Sequence, residues 1–174
     1  MEAEPAELQD GRVLVVWRGS NTAKTAGRKW YAVSRDAGLT FSPPAEWKYD
    51  DGSSFYSPSS YHRMIRHSVT GKLYWIGNIR WQPPSGNSPC YPLVIAEVDE
   101  RIPALRKNTV TAIDDRHPDQ PAWLQFSNFS LLEDRETHRL ELQLTTFGQE
   151  HRVGDPRNVY TADNWKYALT LNEE

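Results

Sequence analysis

Carboxylate, guanidinium and aromatic side chains of this chain cluster at the ends of its apolar runs: Glu4, Arg18, Tyr61, His62, Arg63, Asn78, Arg80 and Asn128. A guanidinium takes both oxygens of a carboxylate through parallel N–H bonds, and amide and aromatic edges suit ring hydroxyls. Gathered at one opening, these residues would fit an anionic or hydroxylated sugar. Glu4, Arg18, Arg63, Asn78, Arg80 and Asn128 are the candidate substrate-binding residues. Plainer uses compete. Arg18 and Glu4 would also serve as a surface ion pair worth ~0–1 kcal/mol, and His62 as a packing or hydrogen-bonding residue of an apolar strand. His67, His117, His138 and His151 fall in turns and loops without metal-ligand spacing, so neither a metal nor a cofactor is expected. The sequence has no G-x-S-x-G elbow, P-loop or glycine-rich dinucleotide fingerprint, which removes the common hydrolase, nucleotide and redox readings.

The elements that must position these side chains are short strands. Ser34, Asp36, Gly38, Thr40 and Phe41 stand in the order S-x-D-x-G-x-T-F, the pattern of an Asp-box turn. In such a turn Asp36 and the hydroxyls of Ser34 and Thr40 bond the loop backbone, Gly38 takes a positive φ, and Phe41 packs back into the sheet. The loop joins two antiparallel strands. Around it, three hairpin units recur. The first takes residues 5–8, 12–18 and 29–35, with 46–49 as a short outer strand; the second takes 61–67, 72–78, 91–98 and 109–113; the third takes 126–132, 138–146 and 165–171. The turns at Gly11, Gly71 and Thr137 lie roughly sixty to seventy residues apart, longer than the ~40–50 of small propeller repeats. Pro- and Ser-rich insertions at 82–89 and 116–121 fill the difference.

This order predicts an all-β chain forming about half of a six-bladed β-propeller, with three four-stranded antiparallel blades at about residues 3–50, 57–114 and 123–172. A sandwich or open barrel would not return four-strand units in the same order. Three blades cannot close a ring, so either a second copy or a missing N-terminal half is expected to complete it. Antiparallel pairing about the turns places Glu4 near Arg18, Arg63 near Asn78, Tyr61 or His62 near Arg80, and Phe126 and Asn128 near residues 145–147.

Composition narrows the partners. Among 174 residues, 20 basic and 23 acidic side chains give a net charge of −3 and form no basic stripe, so nucleic acid is not an expected partner. No apolar run approaches the ~20 residues that span a bilayer, and residues 1–5 lack the form of a secretory signal. Compartment is left open. The single cysteine, Cys90, excludes an internal disulfide and a cysteine-only metal site.

Glu4-Pro5-Ala6 followed by Leu8-Gln9-Asp10-Gly11-Arg12-Val13-Leu14-Val15-Val16-Trp17-Arg18 resembles the E-P…L-x-D-G-R-hydrophobic-R segment of the sialidase-like (BNR/Asp-box) propellers. The resemblance is to their C-terminal half and runs across essentially the whole chain. It implies that Glu4 polarises a nucleophilic tyrosine and that Arg18 belongs to a triad binding the substrate carboxylate. Two positions depart from the pattern. Cys90-Tyr91 stand where the family supplies another triad arginine, with Arg80 as the substitute. Phe126-Ser127-Asn128-Phe129 stand where the nucleophilic tyrosine would fall, and neither phenylalanine nor asparagine can form the covalent aryl glycoside. The remaining arginine and the acid/base aspartate would lie upstream of Met1. The resemblance therefore implies a sialidase-like glycoside hydrolase fragment for terminal sugars of glycans. A non-catalytic glycan-binding or protein-interaction propeller is the alternative, keeping Arg18, Arg80 and Trp81 without the nucleophile.

Overall fold

The computed structural model describes residues 2–148 and 164–171. Residues 149–163, His151 among them, and residue 172 belong to the expected third unit and lie outside the described residues. The described chain is all-β, in three antiparallel sheets and no closed barrel. The first sheet has the order β1 (Ala3–Glu7), β2 (Val13–Arg18), β3 (Lys29–Ser34), β4 (Ala45–Glu46). The second runs β5 (Arg63–Arg66), β6 (Leu73–Asn78), β7 (Leu93–Asp99); the far edge of β7 pairs with both β8 (Ala104–Leu105) and β9 (Thr111–Asp114). The third holds β10 (Ser130–Glu133), β11 (Leu140–Thr145) and β12 (Asn164–Leu169). Among the described residues no helix is long and apolar enough to cross a membrane.

The second sheet is the middle layer, which explains the apolar runs at 73–76 and 93–96. Every residue of β6 and β7 is buried, because alternate side chains enter two cores. Trp75, Val94, Ala96 and Val98 meet Leu14 and Val16 of the first sheet; Tyr74, Ile76, Leu93 and Ile95 meet Leu140, Leu142 and Leu144 of the third. The sheets thus stack like consecutive leaves of a fan, a partial propeller, with the first strands β1 and β5 side by side. Beyond β4, segment 48–50 crosses to the second sheet: Leu105 N–H donates to the Lys48 carbonyl at 3.1 Å, and Asp50 N–H to that of Leu105 at 2.9 Å.

The turns set the registers and correct two expected pairings. In the first hairpin Leu8 N–H donates to Arg12 O (2.8 Å) and Gly11 N–H to Leu8 O (2.9 Å), with Gly11 at φ +82°. The turn therefore centres on Asp10, Ala3 faces Trp17 and Glu4 faces Val16, so Glu4 is not opposite Arg18. In the second, His67 N–H donates to Lys72 O (3.0 Å) and Gly71 N–H to His67 O (2.9 Å). Arg63 then faces Ile76 instead of Asn78; moving the turn centre by one residue moves every partner by two. The third hairpin repeats the second: Asp134 N–H donates to Arg139 O at 2.9 Å and His138 N–H to Asp134 O at 2.8 Å, with His138 replacing glycine at φ +56°.

The loop at 34–41 is held by side chains. The Ser34 hydroxyl donates to Asp36 Oδ1 (2.7 Å) and accepts from Gly38 N–H (2.8 Å), while Asp36 accepts from Thr40 N–H (2.9 Å) and from the Thr40 hydroxyl (2.6 Å). Gly38 sits at φ +89°. Phe41 departs from expectation: it is 46% exposed, because β4 contributes only two residues and offers no broad surface to receive it.

Candidate functional site

Because β1 and β5 run side by side, the Glu4 carboxylate crosses between sheets. Its Oε1 accepts from Arg63 Nε at 2.7 Å and from Met64 N–H at 3.3 Å. Arg63 Nη1 donates to the Tyr61 hydroxyl at 3.2 Å, and the Tyr61 ring meets the edge of Phe129 at 5.2 Å, which ties the third sheet to the same place. The guanidinium is held above its ordinary pKa first by the bond to Tyr61 and then by the Glu4 charge. Arg63 keeps 40% of its side chain exposed, Glu4 19%. A carboxylate, a guanidinium and a phenol stand in a row facing solvent, able to accept from sugar hydroxyls, bind an anion and donate a further bond.

The other expected site residues are held elsewhere. Arg18 pairs with Glu2 at 3.1 Å and donates to the Ser59 carbonyl at 3.0 Å. Arg28 and Lys29 work on the same loop: Arg28 Nη1 donates to Phe55 O at 2.9 Å, and Lys29 Nζ to Pro58 O at 3.2 Å and Ser60 O at 2.8 Å. Three cations, Arg18 of β2, Lys29 of β3 and Arg28 just before β3, thereby fix the segment that leads into Tyr61. Lys29 is fully buried, and desolvation brings its pKa from 10.5 to about 7.

Asn78 is buried, with Nδ2 at 3.0 Å from Cys90 O and 3.1 Å from both Pro92 O and Phe126 O. It knots the second and third sheets and does not face a ligand. Arg80 bridges to Tyr56 and not to Tyr61 or His62; it lies over the Tyr91 ring at 4.7 Å and donates to the Tyr91 carbonyl at 2.8 Å. His62 is buried 6.1 Å from Trp75, with Nε2 donating to Val16 O at 3.2 Å. Burial, then the Lys29 charge, lowers its pKa to about 3, so the imidazole is neutral. Asn128 is exposed at φ +58°, a conformation asparagine tolerates. Phe126 is buried. Burial pushes the Cys90 thiol up to about 12.

Sequence reasoning did not place Lys29, Glu2 or Tyr91 in these roles. A lysine at an inward position of an apolar strand was the available signal for Lys29, since strand alternation puts it on the face of Tyr31 and Val33. The other two depend on loop conformation.

All-β leaves stacked around their first strands define the class: a sialidase-like fold. Among solved structures the chain is similar to a single-residue mutant of NanB sialidase from Streptococcus pneumoniae, with TM-score 0.54, 21% identity and coverage of 83% of this chain. The chain spans only 20% of that protein's length. At this identity the likeness concerns the fold alone. No protein-family model matches the sequence, and no curated protein does.

Proposed function

We propose that the chain forms part of the sugar site of a sialidase-like glycoside hydrolase, taking terminal acidic sugars of glycans, with sialic acid the first candidate. The observation that carries this reading is the Glu4–Arg63–Tyr61 row, built from two sheets at one solvent-facing edge. Arg63 would meet the sugar carboxylate and Glu4 a hydroxyl. Arg18 shapes the neighbouring loop. For catalysis, Tyr61 is the phenol on the far side of Arg63 from Glu4: attack of its oxygen on the anomeric carbon would form an aryl glycoside as the bond to the leaving oxygen breaks, the phenolic proton being relayed to that oxygen to give the alcohol, and water would then take the sugar and restore the phenol. The second reading, a glycan-binding segment without turnover, is favoured by Phe126 standing buried in the segment where the resemblance calls for a tyrosine.

The full chain incubated with a fluorogenic sialoside, and titrated with sialyllactose by saturation-transfer NMR, tests both readings. Binding that drops at least tenfold in Arg63→Gln supports the rim site. Turnover lost in Tyr61→Phe selects the hydrolase, and binding without turnover selects the binding segment. Binding equal in wild type and Arg63→Gln, or absent from both, refutes the rim assignment.

A further inference from the structure

Between the first and second sheets lies a cleft of about 590 Å³ that the Glu4 rim does not use. It exists because β4 is two residues long, so a loop and not a strand covers the outer face of the second sheet. Tyr49, Phe55 and Tyr56 line one wall; Val94, Val110 and Ala112 line the other. Its volume falls in the range of small-molecule sites, and its lining is mostly apolar.

Trp81 stands at the mouth, 94% exposed. A lone surface tryptophan would mean nothing, but Arg80 lines the same cleft. Arg80 Nε is buried without a hydrogen-bond partner, and so is Arg116 Nε. Both guanidiniums lie against the Tyr91 ring, at 4.7 and 5.4 Å from its centroid. Arg116 Nη1 is spent on the Gln120 and His117 carbonyls, at 2.5 and 3.0 Å. Among the described residues neither arginine has a carboxylate partner, whereas Arg18, Arg28, Arg63, Arg66, Arg101 and Arg106 each have one. Arg80 and a bare indole thus line an aromatic-walled cleft, with Arg116 on the Tyr91 ring outside the lining, a combination that attracts an anion with an apolar ring face.

We propose that this mouth is a second binding site, for a carboxylate-bearing saccharide: one ring lies on the Trp81 indole, and its carboxylate is met by Arg80 in the field of Arg116. The ligand class rests on the sugar-binding reading above; the residues do not.

The test is a titration of the full chain, nitrogen-15 labelled at its tryptophans, with a disaccharide containing one hexuronic acid and with the same disaccharide after reduction of the carboxyl. The Trp81 indole signal, identified by its loss in Trp81→Ala, is expected to shift saturably. Affinity, measured by calorimetry, is expected to fall at least tenfold in Trp81→Ala, in Arg80→Gln and for the reduced ligand. Trp81 is exposed, so its variant keeps the fold even if Arg80→Gln disturbs the Tyr91 loop. No shift at Trp81, equal binding by Trp81→Ala, or equal binding of the reduced ligand overturns the proposal. Loss in Arg63→Gln with Trp81→Ala intact also overturns it and leaves the rim reading standing. Loss in Trp81→Ala alone upholds it, whatever the sialoside experiment finds at the rim.

Discussion

Replacing Lys29 with methionine should change how stability depends on pH. Lys29 is fully buried and its pKa falls from 10.5 to about 7 on folding. Between those values the unfolded chain holds a proton that the folded chain has released, so stability rises with pH across the window and is flat below it. At about 1.4 kcal/mol per unit, the full window is worth on the order of 5 kcal/mol, and the part between pH 7 and 9.5 about 3 kcal/mol. Methionine removes the titration and leaves the Pro58 and Ser60 carbonyls without their donor, a cost of about 1–3 kcal/mol per group. At pH 6 that loss is offset by relief from burying a cation, so the variant should lie near wild type. At pH 9.5 it should be less stable by about 3 kcal/mol more than at pH 6. Urea unfolding followed by tryptophan fluorescence at both pH values measures this, provided the m-values agree. A wild-type to variant difference that is the same at both pH values would show that Lys29 keeps its proton on folding, and the reasoning would be wrong.

Asp36→Asn should weaken the 34–40 turn and remove one acid-sensitive step. The Asp36 pKa is lowered to about 2 by its bonds to Thr40 and Ser34, so its contribution is complete above about 4 and lost as pH falls toward 2; acid titration of both proteins by circular dichroism checks this. Gly77→Ala should cost about 1–3 kcal/mol, because a Cβ there would lie 2.4 Å from the ring of Trp75, which is buried and cannot swing away; thermal melts report it. A double-mutant cycle of Glu4→Gln and Arg63→Gln should give a coupling of about 0.5–1 kcal/mol, modest because the pair faces solvent. Zero coupling would mean that the 2.7 Å contact does not persist in solution.

The sequence showed the layering better than the site. Residues 73–76 and 93–96 are apolar without alternation and form the doubly covered strand pair of the second sheet; the run at 13–17, which reads the same way in sequence, instead alternates half-buried and buried positions. The order of hairpins was legible for the same reason. Contacts at strand ends were not. Whether Glu4 meets Arg18 or Arg63 depends on a turn centre one residue away and on how closely β1 approaches β5, which no local pattern encodes. Arg80 and Asn78 were chosen as polar residues at a strand end. Their actual partners, the Tyr91 ring for one and three carbonyls for the other, lie in loops whose paths follow from packing between sheets. Lys29 was the one missed group with a local signal, a cation on an inward strand face.

A crystal of the chain soaked in N-acetylneuraminic acid tests the central claim most directly, that neighbouring sheets bring Glu4, Arg63 and Tyr61 together to hold an acidic sugar. The sugar carboxylate is expected within hydrogen-bonding distance of the Arg63 guanidinium, with a hydroxyl against Glu4. Sugar density elsewhere with the rim bare, or Glu4 and Arg63 pointing to opposite sides of the molecule, would contradict it.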